Sequence, residues 1–222
     1  MLHLHTAPTT NGQRGALIVA ESGLPYTLHE IRMRDGGHKS PDYLAINPNG
    51  QVPALVDDDG PGGETVTLTQ SVGIVWYVAE KCGRFIPSTG KLKAEAMDWC
   101  LFGATDLYPP FAAMYFLQWA GLPEMGKAPA LFDKRMQRYA GRLNDHLRNR
   151  TWLVGDDYTV ADISTYPMCA LAWRDFPQLH GLTAVEAWME RVAARPAVAE
   201  AMGWFAGKGP QLDRPTPAQP AA

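Results

Sequence analysis

No disulfide framework is available to this chain: its 3 cysteines, Cys82, Cys100 and Cys169, are odd in number and widely spaced. None belongs to a Cys-x-x-Cys or Cys/His metal pattern, so a reducing, cytoplasmic setting and no metal are expected. No run of about 18 apolar residues is present to cross a bilayer. Met1 to His5 has no basic segment leading into an apolar core, so no secretory leader is expected either. Positive charge is scarce and scattered: 20 Lys and Arg stand against 23 Asp and Glu, a formal net charge of -3. That excludes the concentrated field on which nucleic-acid or anionic-membrane binding depends. At 222 residues the chain buries a core without covalent staples and has room for two modest domains. It carries no internal repeat.

The most organised stretch is Asn47 to Leu55, Asn-Pro-Asn-Gly-Gln-Val-Pro-Ala-Leu, followed by Thr69-Gln70-Ser71. Pro53 stands before a short apolar strand, and proline alone makes a cis peptide cheap. A cis Val52-Pro53 bond is expected to turn the Val52 N–H and C=O outward, where an extended peptide pairs with them as an added strand. Ser71 opens a helical apolar pattern whose free N-terminal amides suit a carboxylate. The two features together predict a peptide-binding cleft.

Around that stretch, alternation and turn residues predict strands at Leu2 to Leu4, Tyr26 to Ile31, Ala54 to Val56 and Thr65 to Leu68. Helices are predicted from Gly15 to a Gly23 cap and from Ser71 to Lys81, with a short one at most in 35–46. This is an α/β domain over residues 1–82. Gly83 to Gly90 reads as a linker. Lys91 to Gln118, Leu131 to Arg148, Val160 to Trp173 and Ala184 to Met202 then show helical spacing, making residues 91–206 an all-helical bundle. Residues 207–222, with four prolines and little to bury, read as a tail.

With the cleft stretch, Thr69-Gln70-Ser71 and a later Gly155-Asp156-x-x-Thr159-Val160-Ala161-Asp162, the chain resembles the glutathione transferases over about residues 1 to 206. The resemblance implies a thioredoxin-like N-terminal domain, a helical C-terminal domain, glutathione as co-substrate and a two-fold homodimer. Ala7-Pro8-Thr9-Thr10-Asn11-Gly12 and Asp35-Gly36-Gly37-His38 are similar to the nu class, the disulfide-bond oxidoreductase type. Thr10 departs from a frequent proline of that class, and His38 from a frequent glutamine. In that class the equivalents of Thr9 and Asn11 approach the glutathione sulfur, and two glutathiones or one glutathione disulfide can occupy each site.

The implied chemistry suits these residue types. A thiol of pKa about 8.5 is only a few per cent ionised near neutrality, and the thiolate is the reactive form. A Thr9 hydroxyl, an Asn11 amide and a helix N-terminus each favour the anion. Capping of the first helix is the plain alternative for Thr9 and Asn11. The resemblance further assigns Gln70 and Ser71 to the γ-glutamyl group, the Val52 backbone to the cysteinyl unit, Pro53 to loop geometry and His38 to the glycyl carboxylate. For Ser71 the alternative is helix capping, and for His38 a solvated loop. Tyr108, Phe111, Met114, Tyr115 and Trp119 are candidates for a second-substrate pocket, against the ordinary reading that helical aromatics are core. Thr159 and Asp162 are assigned to a capping box, not to catalysis. The expected partners are glutathione and a small disulfide or electrophile. Disulfide reduction leads, conjugation follows, and a non-catalytic glutathione-binding protein is the rival.

Overall fold

The computed structural model describes residues 1–120 and 126–207, beginning with a sheet of strands β1 (Leu2–Thr6), β2 (Tyr26–Glu30), β3 (Ala54–Asp57) and β4 (Val66–Leu68) in the order β2-β1-β3-β4. β1 is parallel to β2 and antiparallel to β3, which pairs antiparallel with β4. A parallel pair needs a crossover, here α1 (Thr10–Ser22), which ends on Gly23 in the left-handed conformation. Leu2, Leu4 and Leu55 point to one face and pack on Ala16 and Leu17 of α1 and on Ile74, Val75 and Val78 of α3 (Ser71–Cys82). Each such leucine contributes about 1.5–3 kcal/mol of burial.

The alternation that buries Leu2 and Leu4 turns His3 and His5 to the opposite face, beside His29 of β2 and Tyr43 of α2 (Pro41–Ile46). His5 stacks on His29 with ring centroids 4.6 Å apart, and His3 Nδ1 lies 3.3 Å from His29 Nε2. Burial, then the neighbouring His29 and His3, push His5 down to about 4. Because the unfolded chain takes up this proton near pH 6.5 and the folded one does not, stability falls as pH drops through that window towards about 4. His5→Phe is expected to flatten the decline in thermal midpoint between pH 7 and 5; an unchanged decline would show that His5 does not cause it.

In the second half, α4 (Gly90–Leu101) runs through a π-helical turn at Phe102–Leu107 into α5 (Tyr108–Ala120). The single regular helix expected from Lys91 to Gln118 is thus interrupted in register, and Thr105 Oγ1 donates to the Leu101 carbonyl at 3.0 Å inside the turn. After α6 (Ala128–Leu147) and α7 (Val160–Asp175), the helix expected from Ala184 to Met202 is two: α8 (Thr183–Ala193) and α9 (Pro196–Trp204). Proline disfavours helical geometry in the residue before it, and Arg195 is extended at φ -73, ψ 130. The tail expected from 207 lies outside the described residues beyond Gly207. No helix among the described residues is long and apolar enough to cross a membrane.

α7 begins in a capping box: Thr159 Oγ1 accepts Ala161 N–H at 3.3 Å, and Asp162 Oδ2 accepts Thr159 N–H at 2.9 Å. Asp162 is wholly buried, and its Oδ1 also accepts Leu153 N–H at 3.0 Å and the Trp188 indole of α8 at 2.8 Å. Burial outweighs these bonds and holds its carboxyl above the usual range. The two halves share one hydrophobic core. At its edge Glu21 of α1 takes a bidentate pair from Arg195 at 2.6 and 2.9 Å, with the guanidinium 3.8 Å above the Tyr158 ring.

Candidate active site

Between α3 and the loop before β3 lies a cleft of about 370 Å³ lined by Asn11, Asn47, Asn49, Gln51, Val52, Pro53, Thr69, Gln70 and Ser71. Its loop is fixed from below. The buried Asn47 donates through Nδ2 to the Gln51 carbonyl at 2.6 Å, and the Tyr43 hydroxyl donates to the same oxygen at 2.5 Å. Asn47 Oδ1 accepts Asn49 N–H at 3.1 Å, and Gly50 turns at φ 57 with its α-carbon against the His38 carbonyl, so a side chain there is both strained and obstructed. Val52-Pro53 is cis. Among the described residues neither the N–H nor the C=O of Val52 has a hydrogen-bond partner, and both remain available to an extended ligand.

At the far end, Gln70 is the N-cap of α3 with no side-chain capping bond, so first-turn amides are free where Gln70 and Ser71 line the cleft. The Ser71 hydroxyl does not cap the helix. It accepts from Arg14 Nη1 at 2.7 Å and donates to Asn11 Oδ1 at 3.4 Å. At the near end, Thr9 is the N-cap of α1, its Oγ1 accepting Gly12 N–H at 3.0 Å. That bond uses an acceptor lone pair and leaves the hydroxyl proton free. Gly12 has no room for a side chain: a β-carbon would come within 2.1 Å of the Ala7 carbonyl. The loop therefore closes tightly, which sets Asn11 on the cleft wall.

Among the described residues no charged side chain lines this cleft; the cation stands behind it. Arg14 is 2% exposed, and besides Ser71 its Nη1 donates to Asn11 Oδ1 at 2.8 Å. Its Nε donates to the Ser164 carbonyl of α7 at 2.7 Å. That carbonyl follows the Ile163 carbonyl, the one that Pro167 leaves without its i+4 donor, so the helical ladder is loosened beside it. Burial brings Arg14 down to about 10, still protonated at neutrality. The sequence signals at Asn47 and Ser71 led to the cleft, but Arg14 and Tyr43 were missed. Their only trace is a polar residue at i+3 from Asn11 and a tyrosine within an irregular polar segment.

Two groups of the expected site residues lie off the cleft wall. The His38 side chain is 2% exposed and absent from the cleft wall, because the loop from 33 to 39 folds as successive 3-10 turns that bury it. Lys39 is the cation here, with Nζ 3.4 Å from the Gly50 carbonyl. Phe111, Met114 and Tyr115 are core residues instead of pocket walls: the Phe111 and Tyr115 rings pack edge-to-face on Phe176 at 5.1 and 5.5 Å. Tyr108 is half-buried against the same core, and the Trp119 side chain lies outside the described residues. A second cavity of about 490 Å³ opens elsewhere, lined by Pro8, Thr10 and Gln13 together with Leu171, Arg174, Met202 and Phe205. Pro8 and Thr10 thus face one cavity while Asn11 faces the other.

Comparison with known proteins agrees with this geometry. Residues 10–81 match the glutathione S-transferase N-terminal domain family, and residues 105–202 match the C-terminal domain family. The disulfide-bond oxidoreductase YfcG of Escherichia coli is 32% identical, over 91% of this chain and 94% of that protein. A glutathione transferase family member from Pseudomonas fluorescens, solved with two glutathione bound, superposes with a TM-score of 0.85 at 29% identity, over 90% of this chain and 92% of that one. A Pseudomonas putida glutathione transferase with one glutathione disulfide per subunit also superposes at 0.85, with 27% identity over 90% of each chain. A thioredoxin-like sheet joined to this helical bundle, with both halves matched along their length, means that the chain belongs to the glutathione S-transferase family.

Proposed function

We propose that this protein is a nu-class, cytoplasmic glutathione transferase that uses glutathione to reduce small disulfides. The observation that carries the reading is the cleft itself: unpaired Val52 backbone between a free helix end at Ser71 and the amide of Asn11. Glutathione laid along it puts its γ-glutamyl carboxylate at Gln70 and Ser71, its cysteinyl backbone on Val52 and its sulfur at Asn11 and Thr9. The glutathione thiolate attacks one sulfur of the substrate disulfide, forming a mixed disulfide as the other sulfur leaves as a thiolate and takes a proton. A second glutathione thiolate attacks the mixed disulfide, releasing the remaining substrate thiol and glutathione disulfide. Two glutathiones are oxidised as one disulfide is reduced.

The protein's own thiols do not enter this cycle. No cysteine lines the cleft, and burial pushes Cys100 up to about 12 and raises Cys169 further above the thiol range. The names of YfcG and of the Pseudomonas putida complex support disulfide chemistry. The cavity beside Pro8 and Thr10 is the proposed seat of the second substrate. A two-fold homodimer belongs to the same proposal, supported by Met97 and Leu101, which stand exposed one turn apart on α4.

The test is turnover of a small mixed disulfide against turnover of a chloronitroaromatic, both with glutathione, together with light scattering on the same preparation. Disulfide reduction by a dimer is expected. Activity on the aromatic alone would make the enzyme a conjugating transferase. Glutathione binding with neither activity would make it a binding protein, and a monomer would remove the dimer from the proposal.

A further inference from the structure

An arginine with almost no exposure and no carboxylate partner is expensive to bury, and Arg14 has neither surface nor salt bridge among the described residues. The other titratable groups near enough to act on it are Tyr108, Cys100 and Cys169. What it does have is a position behind both ends of the cleft, with Nη1 on Asn11 Oδ1 at 2.8 Å and on Ser71 Oγ at 2.7 Å.

A guanidinium carries donors only. Whatever meets it must therefore offer an acceptor. Asn11 has one acceptor atom and one donor atom, so turning Oδ1 to Arg14 leaves the N–H2 group for the cleft. Serine has a single rotatable proton, and a hydroxyl that accepts from Arg14 keeps that proton for another partner. In this structure that proton is donated to Asn11 Oδ1, but at 3.4 Å the bond is long and weak, and an ionised acceptor draws the proton to itself. The third bond, from Nε to the Ser164 carbonyl, fixes the guanidinium plane against the helical domain. The fork cannot rotate to serve one end and release the other.

We infer that Arg14 is a positioning residue that sets the polarity of the cleft, turning the Asn11 amide N–H2 and the Ser71 hydroxyl proton together towards an anionic ligand. The inference rests on the proposed glutathione-binding reading, in which those anions are the thiolate and the γ-glutamyl carboxylate. Without Arg14 the amide is free to flip and present its oxygen to the sulfur, which repels a thiolate. Lysine restores the charge but not the fork, because a single ammonium has no second nitrogen to hold the Ser164 carbonyl while it serves Asn11 and Ser71.

The measurement is the pH titration of thiolate absorbance for glutathione bound to the full-length protein, alongside kcat and KM profiles. Arg14→Met is expected to raise the bound thiol pKa by about one to two units and move the rising limb of the kcat/KM profile alkaline by the same amount. Arg14→Lys is expected to recover less than half of that shift, and it keeps the test decisive if Arg14→Met does not fold. In combination with Asn11→Ala, the effect of Arg14→Lys on the thiol pKa is expected to shrink well below its effect alone, since Arg14 acts through Asn11. If Asn11→Ala raises the thiol pKa while both folded Arg14 variants leave it unmoved, this inference fails and the site reading stands. If Asn11→Ala also leaves it unmoved, the site reading itself fails.

Discussion

Asp162→Ala is expected to lower the unfolding free energy by on the order of 4 kcal/mol, and the thermal midpoint by roughly 10 °C for a chain of this size. The carboxylate satisfies the Leu153 and Thr159 amides and the Trp188 indole, and all three lie where water does not reach. Deleting it strands these three donors and the Thr159 hydroxyl, which donates to Asp162 Oδ2 at 3.2 Å, each costing about 1–3 kcal/mol. The sum is offset in part because burying the charged carboxylate is itself unfavourable, as its raised pKa indicates. Lost capping alone is worth only about 1 kcal/mol, so the size of the effect separates a simple cap from a knot joining α7, α8 and the preceding loop. Thermal unfolding monitored by circular dichroism checks it. A loss below roughly 1 kcal/mol would reduce Asp162 to a cap, and full stability with lost turnover would move it into the reaction.

Asn11→Ala is expected to reduce kcat/KM for glutathione-dependent turnover about a hundredfold, the usual consequence of removing one donor aimed at a developing or resident anion. Stability should fall by about 1.5–3 kcal/mol, because the buried Arg14 guanidinium loses the Asn11 acceptor, while α1 keeps its Thr9 cap. The loss should fall mainly in kcat measured at neutral pH and diminish at alkaline pH, where glutathione ionises unaided. Steady-state kinetics across pH 6 to 9 provide the check. A variant with the original turnover at neutrality would falsify a sulfur-directed amide at this position.

Much of this architecture was legible because local rules and the fold agree. Leu2 and Leu4 alternate with His3 and His5, Gly23 ends α1, and Thr159-x-x-Asp162 announces the start of α7 before any packing is known. Asn47, Val52, Pro53, Gln70 and Ser71 could be placed in one cleft because turn, proline and helix-start chemistry are local. The burial of His38 was not legible because it depends on how two 3-10 turns stack. For Phe111, Met114 and Tyr115 the sequence left pocket and core both open, since a helical aromatic pattern serves either, and packing against Phe176 of another segment places them in the core. Arg14 was hidden for a similar reason. Its burial is created by α7, some 150 residues later in the chain, and no local pattern distinguishes it from a solvated arginine on α1.

The π turn at Phe102–Leu107 also bears on how this lineage can change length. Each residue added to or removed from a helix rotates everything downstream by about 100°. Removing one residue from regular α4 would swing Phe111 off Phe176 and Tyr108 away from Arg14. Removing one from the π turn, which holds about one residue more than an α turn over the same arc, would instead close it as ordinary helix with both still in place. The π turn is therefore a slack link in an otherwise geared rod: a single codon lost there is expected to leave the core wall aligned, whereas one lost from regular α4 turns that wall without altering any residue of the cleft.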